Sequence, residues 1–515
     1  MCSVRVVSGS GGPSRYQPAF LSGFSRMPPD SSVPGPSTSE SEEEIHYVYL
    51  DEDGNEIPEP STAEIEAAVL HHDEPEDGSL HDPHDADSGT TAPPTDRDPS
   101  RKATKPTKAE RKAMPKRERT VAFCRRHRIL TGIAIVLLPF MLFISFTFVR
   151  ALTKPGQESR EARVVQWARD NGMGFLIDKV EDKYYEGNQP VDGGKPVQGI
   201  GPAIGGGGPI TTSPAVTEPG ASPTTGKPVR PHTPLPAKMA TPAKDPLPQE
   251  GEWFPAGPDL GDGLRGVYTT KVRPNADKTS LLVFVAWVDP KLTDIKLYPG
   301  AELPGGQWSV PNYVTPELCP NLIMAGNGGF RFEIPNTGYY SEGREAVKLK
   351  DGAASLVLKN DGTVDVVKWG RELGSADLDK ITSVRQNLQI LVEDGKPADN
   401  IDTADWGALL KNSYFVWRSA WGVTKDGALV YAGGPGLTPR NLADTMVNAG
   451  AVRALEFDIN PEWVTGNLYS AGPDGKCVGT KGLEGGIDVG GMSKSADRYL
   501  SLDTRDFVAV FAKKP

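Results

Sequence analysis

The sequence predicts an α+β fold: a single globular domain with a large mixed or antiparallel sheet and a few helices, preceded by a transmembrane helix and disordered segments. Three observations lead to this prediction. Only 37% of the 515 residues are hydrophobic and 57 Gly and 47 Pro are present, so a core is confined to part of the chain. Short β-branched and aromatic runs are concentrated after residue 251, and one long apolar run precedes them.

Residues 1–128 are predicted to be disordered, with an acidic part followed by a basic part. Residues 40–98 contain 20 Asp and Glu against the single Arg97, a composition that buries too little apolar surface to fold. Within it, residues 45–50 are apolar and aromatic. They are either a strand that docks on a cytoplasmic partner or a chance apolar run. The formal net charge of −11 argues against a nucleic-acid partner.

Residues 129–149 form a run of 21 residues without a charge, which predicts a transmembrane helix. A helix of this length spans about 31 Å, enough for a hydrocarbon layer of about 30 Å. Residues 101–128 contain 12 Lys and Arg and only two Glu, and they lie directly before this run. The positive-inside rule then predicts a single-pass plasma-membrane protein with residues 1–128 cytoplasmic and the C-terminal domain extracytoplasmic.

Beyond the membrane we expect a short helical juxtamembrane segment (150–187), a linker (188–250) and the domain (251–515). In the juxtamembrane segment, Ser159 is placed to cap an amphipathic helix that Gly172 ends. Residues 188–250 contain 14 Pro and 10 Gly, a composition typical of a tether.

Within the domain, seven short apolar runs predict strands, and Gly-containing turns between several of them favour hairpins. The runs are 281–288, 355–359, 364–369, 388–392, 428–432, 454–459 and 507–512. The turns are at 360–362, 393–395 and 425–427. One helix is predicted after Thr438, its N-cap, with Pro439 at its first position and Gly450 at its end.

All seven histidines precede residue 251, which restricts the chemistry of the domain. A Ser-His-Asp triad, a Cys-His pair or a His-ligated zinc site cannot be built from residues 251–515. We therefore predict no metal and no cofactor. Cys319 and Cys477 are either joined by a disulfide or free, since spacing alone does not decide between the two.

Three patches carry candidate site residues. Asn327, Gly328 and Gly329 form either an Asn-Gly hairpin turn of type I′ or a nest of amides for an anion, with Arg331 adding charge.

The other two patches supply a cation and two carboxylates. Arg418 is either a surface ion-pair partner or a phosphate clamp. Glu456 and Asp458 alternate with apolar residues in a strand-like run; they are either a solvated strand face or the two carboxylates that glycoside hydrolysis requires.

The order of these patches resembles the phosphodiester glycosidase domain family, which includes the enzyme that uncovers mannose 6-phosphate by removing N-acetylglucosamine. The resemblance covers residues 281–459. It depends on Asn-Gly-Gly-Phe at 327–330 with Gly338 downstream, on the runs 384–388, 392–396 and 418–427, on Ala-Gly-Ala at 449–451 and on the strand with Asp458.

The resemblance implies a hydrolase that cleaves between an anomeric carbon and a phosphodiester oxygen. It implies that Asn327, Gly328 and Gly329 line the site, that Arg418 binds phosphate and that Asp458 is the active-site carboxylate, with Glu456 as its partner. The family usually has Leu-Asp-Gly-Gly where residues 457–460 are Phe-Asp-Ile-Asn, and an aromatic residue where Arg331 stands.

Two functions follow from this interpretation. The first is a bacterial, membrane-anchored hydrolase that cleaves sugar-1-phosphodiester bonds in cell-envelope glycans. The second is an envelope glycan-binding or structural protein that keeps the fold without turnover, which the altered residues at 459 and 460 favour. The partner is in both cases a sugar-phosphate-containing envelope glycan.

Overall fold

The computed structural model describes residues 3–7, 46–50, 56–57, 115, 128–154, 156–203, 209–210, 230–261, 263–403, 406, 415–485 and 490–513. The chain divides into two compact units, residues 1–108 and 109–515. Most of the predicted disordered region and much of the predicted linker lie outside the described residues.

In the first unit, three short strands form an antiparallel sheet: β1 (Ser3–Val7), β2 (His46–Leu50) and β3 (Glu56–Ile57). The apolar run for which we considered docking on a partner is thus β2, which pairs with β1 and β3 of the same chain.

The described residues of the second unit include four α-helices: α1 (Arg128–Leu152), α2 (Arg160–Ala168), α3 (Gly174–Gly187) and α4 (Pro439–Asn448). In α1, residues 135–152 have a mean hydropathy of 2.2, so this helix is long and apolar enough to cross a membrane as an anchor or a signal sequence. Ser159 caps α2 as predicted, and Thr438 caps α4. The chain breaks at Gly172, whose φ is +77°, and then continues as α3, which the sequence did not indicate as a second helix.

Eighteen strands of the second unit form three antiparallel sheets. The first twelve are β4 (Phe254–Ala256), β5 (Val267–Val272), β6 (Val283–Val288), β7 (Thr293–Tyr298), β8 (Leu322–Asn327), β9 (Gly338–Ser341), β10 (Arg344–Val347), β11 (Ala354–Lys359), β12 (Val364–Lys368), β13 (Ile381–Gln386), β14 (Ile390–Glu393) and β15 (Lys396–Pro397). The last six are β16 (Val416–Thr424), β17 (Leu429–Leu437), β18 (Ala451–Glu456), β19 (Gly466–Ala471), β20 (Cys477–Lys481) and β21 (Phe507–Ala512).

The eight-stranded sheet has the order β15-β14-β18-β16-β17-β6-β5-β4. The middle sheet has the order β10-β9-β13-β11-β12, and the C-terminal sheet has the order β20-β19-β8-β21-β7. The three predicted Gly-containing turns each join an antiparallel pair, and Gly362, Gly395 and Gly427 all have positive φ. The predicted α+β class with a mainly antiparallel sheet is confirmed.

One hydrophobic core lies where the three sheets face each other. Each sheet contributes alternate residues of its strands to it, among them Phe284, Trp421, Tyr431 and Leu455, Leu356 and Val366, and Met324, Val508 and Val510. The other face of the eight-stranded sheet is covered by α4 through Leu442, Ala443 and Met446. Both faces of this sheet are therefore buried, which explains the near-continuous apolar runs of β6, β16 and β17.

The predicted linker differs from the structure at its C-terminal end, where residues 230–250 lie against the domain. Thr233 donates to the Asp289 carboxylate at 2.6 and 2.8 Å, and Met239 is buried beside Trp253. Glu250, also buried, binds Arg273. Pro-rich composition indicates a tether, but it does not exclude an extended segment that follows a folded surface.

Cys319 and Cys477 are joined by a disulfide, which settles the alternative that the sequence left open. Cys319 lies in the 3-10 turn before β8, and Cys477 begins β20 at the edge of the C-terminal sheet. The bond closes a loop of 158 residues and is of the kind that persists outside the cytoplasm.

Candidate active site

The candidate site lies at one end of the eight-stranded sheet, where β16 and β18 are antiparallel neighbours. Ala420 is opposite Glu456, so Arg418 and Asp458 lie at the same end of the two strands. Two backbone hydrogen bonds, from Ser419 N to the Asp458 oxygen at 2.9 Å and from Phe457 N to the Ser419 oxygen at 2.8 Å, continue the pairing beyond β18. This pairing brings Arg418, Glu456 and Asp458 together.

Arg418 and Glu456 form a fully buried ion pair. Arg418 Nη1 lies 2.6 Å from Glu456 Oε1, and Arg418 Nε donates to the Leu437 oxygen at 2.9 Å. Among the described residues, Arg418 Nη2 and Glu456 Oε2 have no hydrogen-bond partner. Burial raises the pKa of Glu456, and Arg418 offsets part of that effect while the nearby Asp458 adds to it.

Asp458 pairs with a different cation, Arg505. Arg505 Nη1 lies 2.8 Å from Asp458 Oδ2, and the backbone amide of Asn460 donates to Asp458 Oδ1 at 3.0 Å. The Arg505 guanidinium stacks on the Trp463 ring at 3.8 Å. Burial raises the pKa of Asp458, which Arg505 offsets in part, so this carboxyl holds a proton more readily than an exposed aspartate.

Ser419 connects Asp458 to Asn327. Ser419 Oγ accepts from the Asp458 amide at 3.1 Å and from Asn327 Nδ2 at 2.9 Å. Asn327 Oδ1 in turn accepts from Tyr431 at 2.9 Å and from the Thr465 amide at 3.1 Å. Asn327 is therefore a buried link between sheets, with both side-chain atoms occupied by protein groups.

Gly328 and Gly329 do not form the hairpin turn that we considered. The strand β8 ends at Asn327 and pairs with β19 and β21, and neither glycine has a positive φ. A Cβ at Gly328 would lie 2.3 Å from Asp506 atoms, and one at Gly329 would lie 2.6 Å from Asn387 Oδ1. Glycine is required here because the loop passes directly over buried polar groups.

Those buried groups form a second ion pair under the site. Arg385 Nε lies 2.8 Å from Asp506 Oδ2, and both side chains are buried. Asn387 accepts from the Phe330 amide at 2.8 Å and donates to the backbone oxygens of Glu456 and Phe457 at 2.8 and 2.9 Å. This network fixes the 328–330 loop to the strand that carries the carboxylates.

Arg331 lies at the surface end of the same loop and retains 27% exposure. It pairs with Glu333 at 3.0 Å and with Asp170, in the turn between α2 and α3, at 3.3 Å. It is also close enough to Arg505 to lower the pKa of that guanidinium, in addition to the larger effect of burial. Arg505 is thus the cation that pairs with Asp458 directly, and Arg331 lies near Arg505.

The juxtamembrane segment covers this site. Tyr185 of α3 packs with Val416 and Ile459, and burial raises the pKa of its hydroxyl, with Asp458 adding to the rise. Gln189 Oε1 accepts from the Phe415 amide at 2.9 Å. At the start of α2, the Ser159 amide donates to Glu462 at 2.6 Å. A segment of the same chain thus covers the end of β16 and the residues that follow Asp458.

The structure places the predicted residues in three groups. The first group is Arg418, Glu456 and Asp458, whose side chains lie close together. The second is Arg331, which lies near Arg505, the partner of Asp458. The third is Asn327, Gly328 and Gly329, which lie in the buried layer that supports the site. Sequence reasoning missed Arg505 as a site residue. The signal available was the run Asp-Thr-Arg-Asp at 503–506, which places charges directly before the buried strand β21.

Within the described part of the chain, no group of three or more His, Cys, Asp or Glu side chains is arranged to hold a metal ion. The polar atoms of the candidate site are carboxylates, guanidinium groups, amides and the hydroxyl groups of Ser419, Tyr431 and Tyr185.

A comparison with family models agrees with the predicted resemblance. Residues 320–458 match the family model described as phosphodiester glycosidase. No curated protein matches the chain. One similar solved structure is the catalytic domain of zebrafish N-acetylglucosamine-1-phosphodiester alpha-N-acetylglucosaminidase, auto-inhibited by its pro-peptide: 13% identity, 51% of this chain and 88% of that chain covered, TM-score 0.32. Another is a hypothetical protein from Synechocystis: 14% identity, 49% and 63% covered, TM-score 0.28.

Proposed function

We propose, from the match of residues 320–458 to the phosphodiester glycosidase family, that this chain is a membrane-anchored hydrolase that cleaves sugar-1-phosphodiester bonds in cell-envelope glycans. One observation carries the proposal: the buried carboxylate of Asp458 lies 2.8 Å from the Arg505 guanidinium, with the second buried carboxylate, Glu456, beside it. An anionic carboxylate next to a cation is what this reaction requires of a site without histidine.

In this proposal Asp458 acts at the anomeric carbon, as nucleophile or as the base that activates water. Water supplies the new bond to that carbon, the bond from carbon to the phosphodiester oxygen breaks, and the electron pair leaves with the phosphate. Because a phosphomonoester is already a good leaving group, a cation that stabilises its charge contributes more than a strong acid.

Arg505 is the better candidate for that cation. Its side chain retains 13% exposure, whereas Arg418 is fully buried. Stacking on Trp463 fixes the plane of the guanidinium, so two N–H groups can meet two phosphate oxygens. Arg331 adds positive charge at the edge of the site.

Arg418 then has a positioning role through Glu456. Burial raises the pKa of Glu456, which is the direction that a general acid requires, and Arg418 offsets part of this rise. The Arg418 ion pair fixes its orientation beside Asp458. The extracytoplasmic location is supported by the disulfide and by the basic residues that precede α1.

The test is hydrolysis of glycosyl-1-phosphate methyl diesters by the full chain in ¹⁸O-labelled water. Label in the sugar is expected; label in the phosphate would identify a phosphodiesterase and contradict the proposal. Asp458→Asn keeps the shape and removes the charge, so we expect a folded protein with activity reduced on the order of 10²-fold or more. Asp474→Asn, at an exposed turn, is the matched control and is expected to keep full activity.

A specific observation favours the second function, a glycan-binding protein without turnover. Ile459 and Asn460 stand where the family usually has glycines, and the Ile459 side chain packs against Val416 together with Tyr185 of the covering segment. If the full chain binds the diester with a measurable dissociation constant but releases no sugar, even after the juxtamembrane segment has been loosened, this second function is the correct one.

A further inference from the structure

The juxtamembrane segment is a helical hairpin. Gly172 breaks the helix with a φ of +77°, and Arg169 before the break pairs with Asp178 at 2.7 Å and with Glu181 at 2.9 Å after it. In a continuous helix, residues 169 and 181 would be about 18 Å apart. The chain therefore folds back, and α3 returns beside α2.

The first arm of this hairpin runs antiparallel to the end of α1. Arg163 Nη1 donates to the Leu152 oxygen at 2.9 Å, whereas Trp167, one turn later, donates to Thr147 Oγ1 at 3.2 Å. The Trp167 ring also contacts Phe148, with centroids 5.0 Å apart. Later residues of α2 therefore lie beside earlier residues of α1, so the two helices are antiparallel.

The antiparallel contacts set the depth of the hairpin tip. Thr147 lies five residues before the end of α1, or about 7.5 Å along its axis. The uncharged run 129–149 is long enough to fill a hydrocarbon layer of about 30 Å, so Thr147 and Phe148 lie at its edge. Residues 171–176 follow Trp167 within about three turns, so they lie near the same edge of the layer.

The tip has the surface of an interfacial element. Phe175 is 60% exposed, Leu176 48% and Val180 66%. Lys179 and Lys183 are exposed on the same side of α3. Tyr185, which covers the candidate site, lies about half a turn away from Leu176 on the opposite side. On this face the lysines alternate with the apolar residues, and their long side chains can reach the headgroups while the apolar side chains enter the lipid surface.

We propose that the hairpin tip, formed by Phe175, Leu176 and Val180, inserts into the lipid surface from which α1 emerges. This rests on the proposed membrane anchoring by α1. A depth of about 5–10 Å is usual for such elements and agrees with the position of Trp167 along α1.

The insertion has a consequence for the domain. Arg331 binds Asp170 near the tip, so the candidate site is held close to the headgroups rather than at the end of a long tether. The substrate must then be within reach of the bilayer surface.

The experiment uses the full chain in lipid nanodiscs, with Cys2→Ser and Cys124→Ser to leave only the disulfide. Single cysteines are placed by Phe175→Cys or Leu176→Cys at the tip, by Val191→Cys as an exposed apolar control on the domain side, and by Phe140→Cys in α1. Each cysteine is labelled with bimane. The bimane fluorescence is then measured in brominated and in ordinary lipid, and with iodide added to the aqueous phase.

We expect brominated lipid to quench the label at residues 140, 175 and 176. We expect iodide to quench the label at residue 191 alone. If lipid quenches the label at residue 140 but iodide quenches the labels at 175 and 176 as it does at 191, the proposed insertion is wrong, whereas the membrane anchoring by α1 is supported. Protection of 175 and 176 from both quenchers would indicate a protein partner and also overturn the proposal. If 140 itself is not quenched by lipid, the membrane anchoring fails, and the insertion fails with it.

Discussion

At the scale of single residues, the candidate site depends on how each buried charge is paired. Asp458 and Glu456 are neighbours, yet each is paired with a separate arginine, Arg505 and Arg418. Removing one member of a buried pair leaves the other charge unpaired, at a cost of about 3–5 kcal/mol. Substitutions at Arg418 therefore test stability as much as chemistry, whereas Arg505, which is less buried, separates the two better.

The ion pair of Arg505 with Asp458 predicts how the activity depends on pH. In Arg505→Gln the ion pair no longer offsets burial, so the already raised pKa of Asp458 rises further. If Asp458 must be ionised to react, activity appears only above this pKa, and the acidic limb of the kcat/KM profile moves to higher pH. Arg505→Lys keeps the charge and should move it less.

The control for this profile is Arg440→Gln, because Arg440 pairs with Asp402 at an exposed position. Its acidic limb should coincide with that of the unchanged chain. An acidic limb that stays in place in Arg505→Gln would show that Asp458 is not the group that titrates.

At the scale of elements, the sequence predicted those whose signal is local. The strand β21 matches the predicted run 507–512 because every residue in it is apolar, and α4 begins at Thr438 because the cap and Pro439 act within one turn. The pairing of Arg505 with Asp458 joins residues 47 apart through two sheets, and no local pattern indicates it.

The packing of the juxtamembrane segment could not be predicted for the same reason, because it depends on residues that are distant in sequence. Its first helix was predicted from a local cap and stop, but its packing over the candidate site depends on contacts such as that of Tyr185 with Val416 and Ile459. Asn327 was expected to line the site from a turn motif, and only the sheet pairing shows that its side chain is occupied by Tyr431 and Thr465.

The position of α3 over the candidate site predicts that weakening its packing increases activity. Tyr185→Ala removes the side chain that packs over the end of β16, so substrate should enter more readily and kcat/KM should increase. Val191→Ala is the control, because this side chain, four residues after the end of α3, is 76% exposed. Equal kcat/KM values for the two variants in nanodiscs would show that α3 does not limit access.

At the scale of the whole molecule, the domain is larger than its composition indicates, because residues 230–250 are part of it. Glu250 is the clearest sign of this. Its carboxylate accepts from Arg273 Nη2 at 2.7 Å, from the Leu247 amide at 2.9 Å and from Thr241 at 2.7 Å. Although burial alone raises its pKa, these hydrogen bonds together lower the pKa of Glu250 below the usual value.

This lowered pKa predicts the pH dependence of the contribution of Glu250 to stability. In the unfolded chain a glutamate titrates near about 4.3. Because the folded pKa is lower, the stabilisation is complete above the unfolded value and is lost as pH falls through the folded one. Glu250→Gln should therefore lower the free energy of unfolding at pH 7 by about 3–5 kcal/mol, since it leaves Arg273 buried without a counter-charge.

Urea unfolding of the full chain at pH 7 and at pH 3 measures this difference, which should be smaller at the lower pH. The control is Lys238→Ala, which breaks the exposed pair of Lys238 with Glu252 and should cost less than about 1 kcal/mol. If Glu250→Gln costs no more than Lys238→Ala at pH 7, residues 230–250 contribute little to the folded domain and the predicted boundary at 251 is the better one.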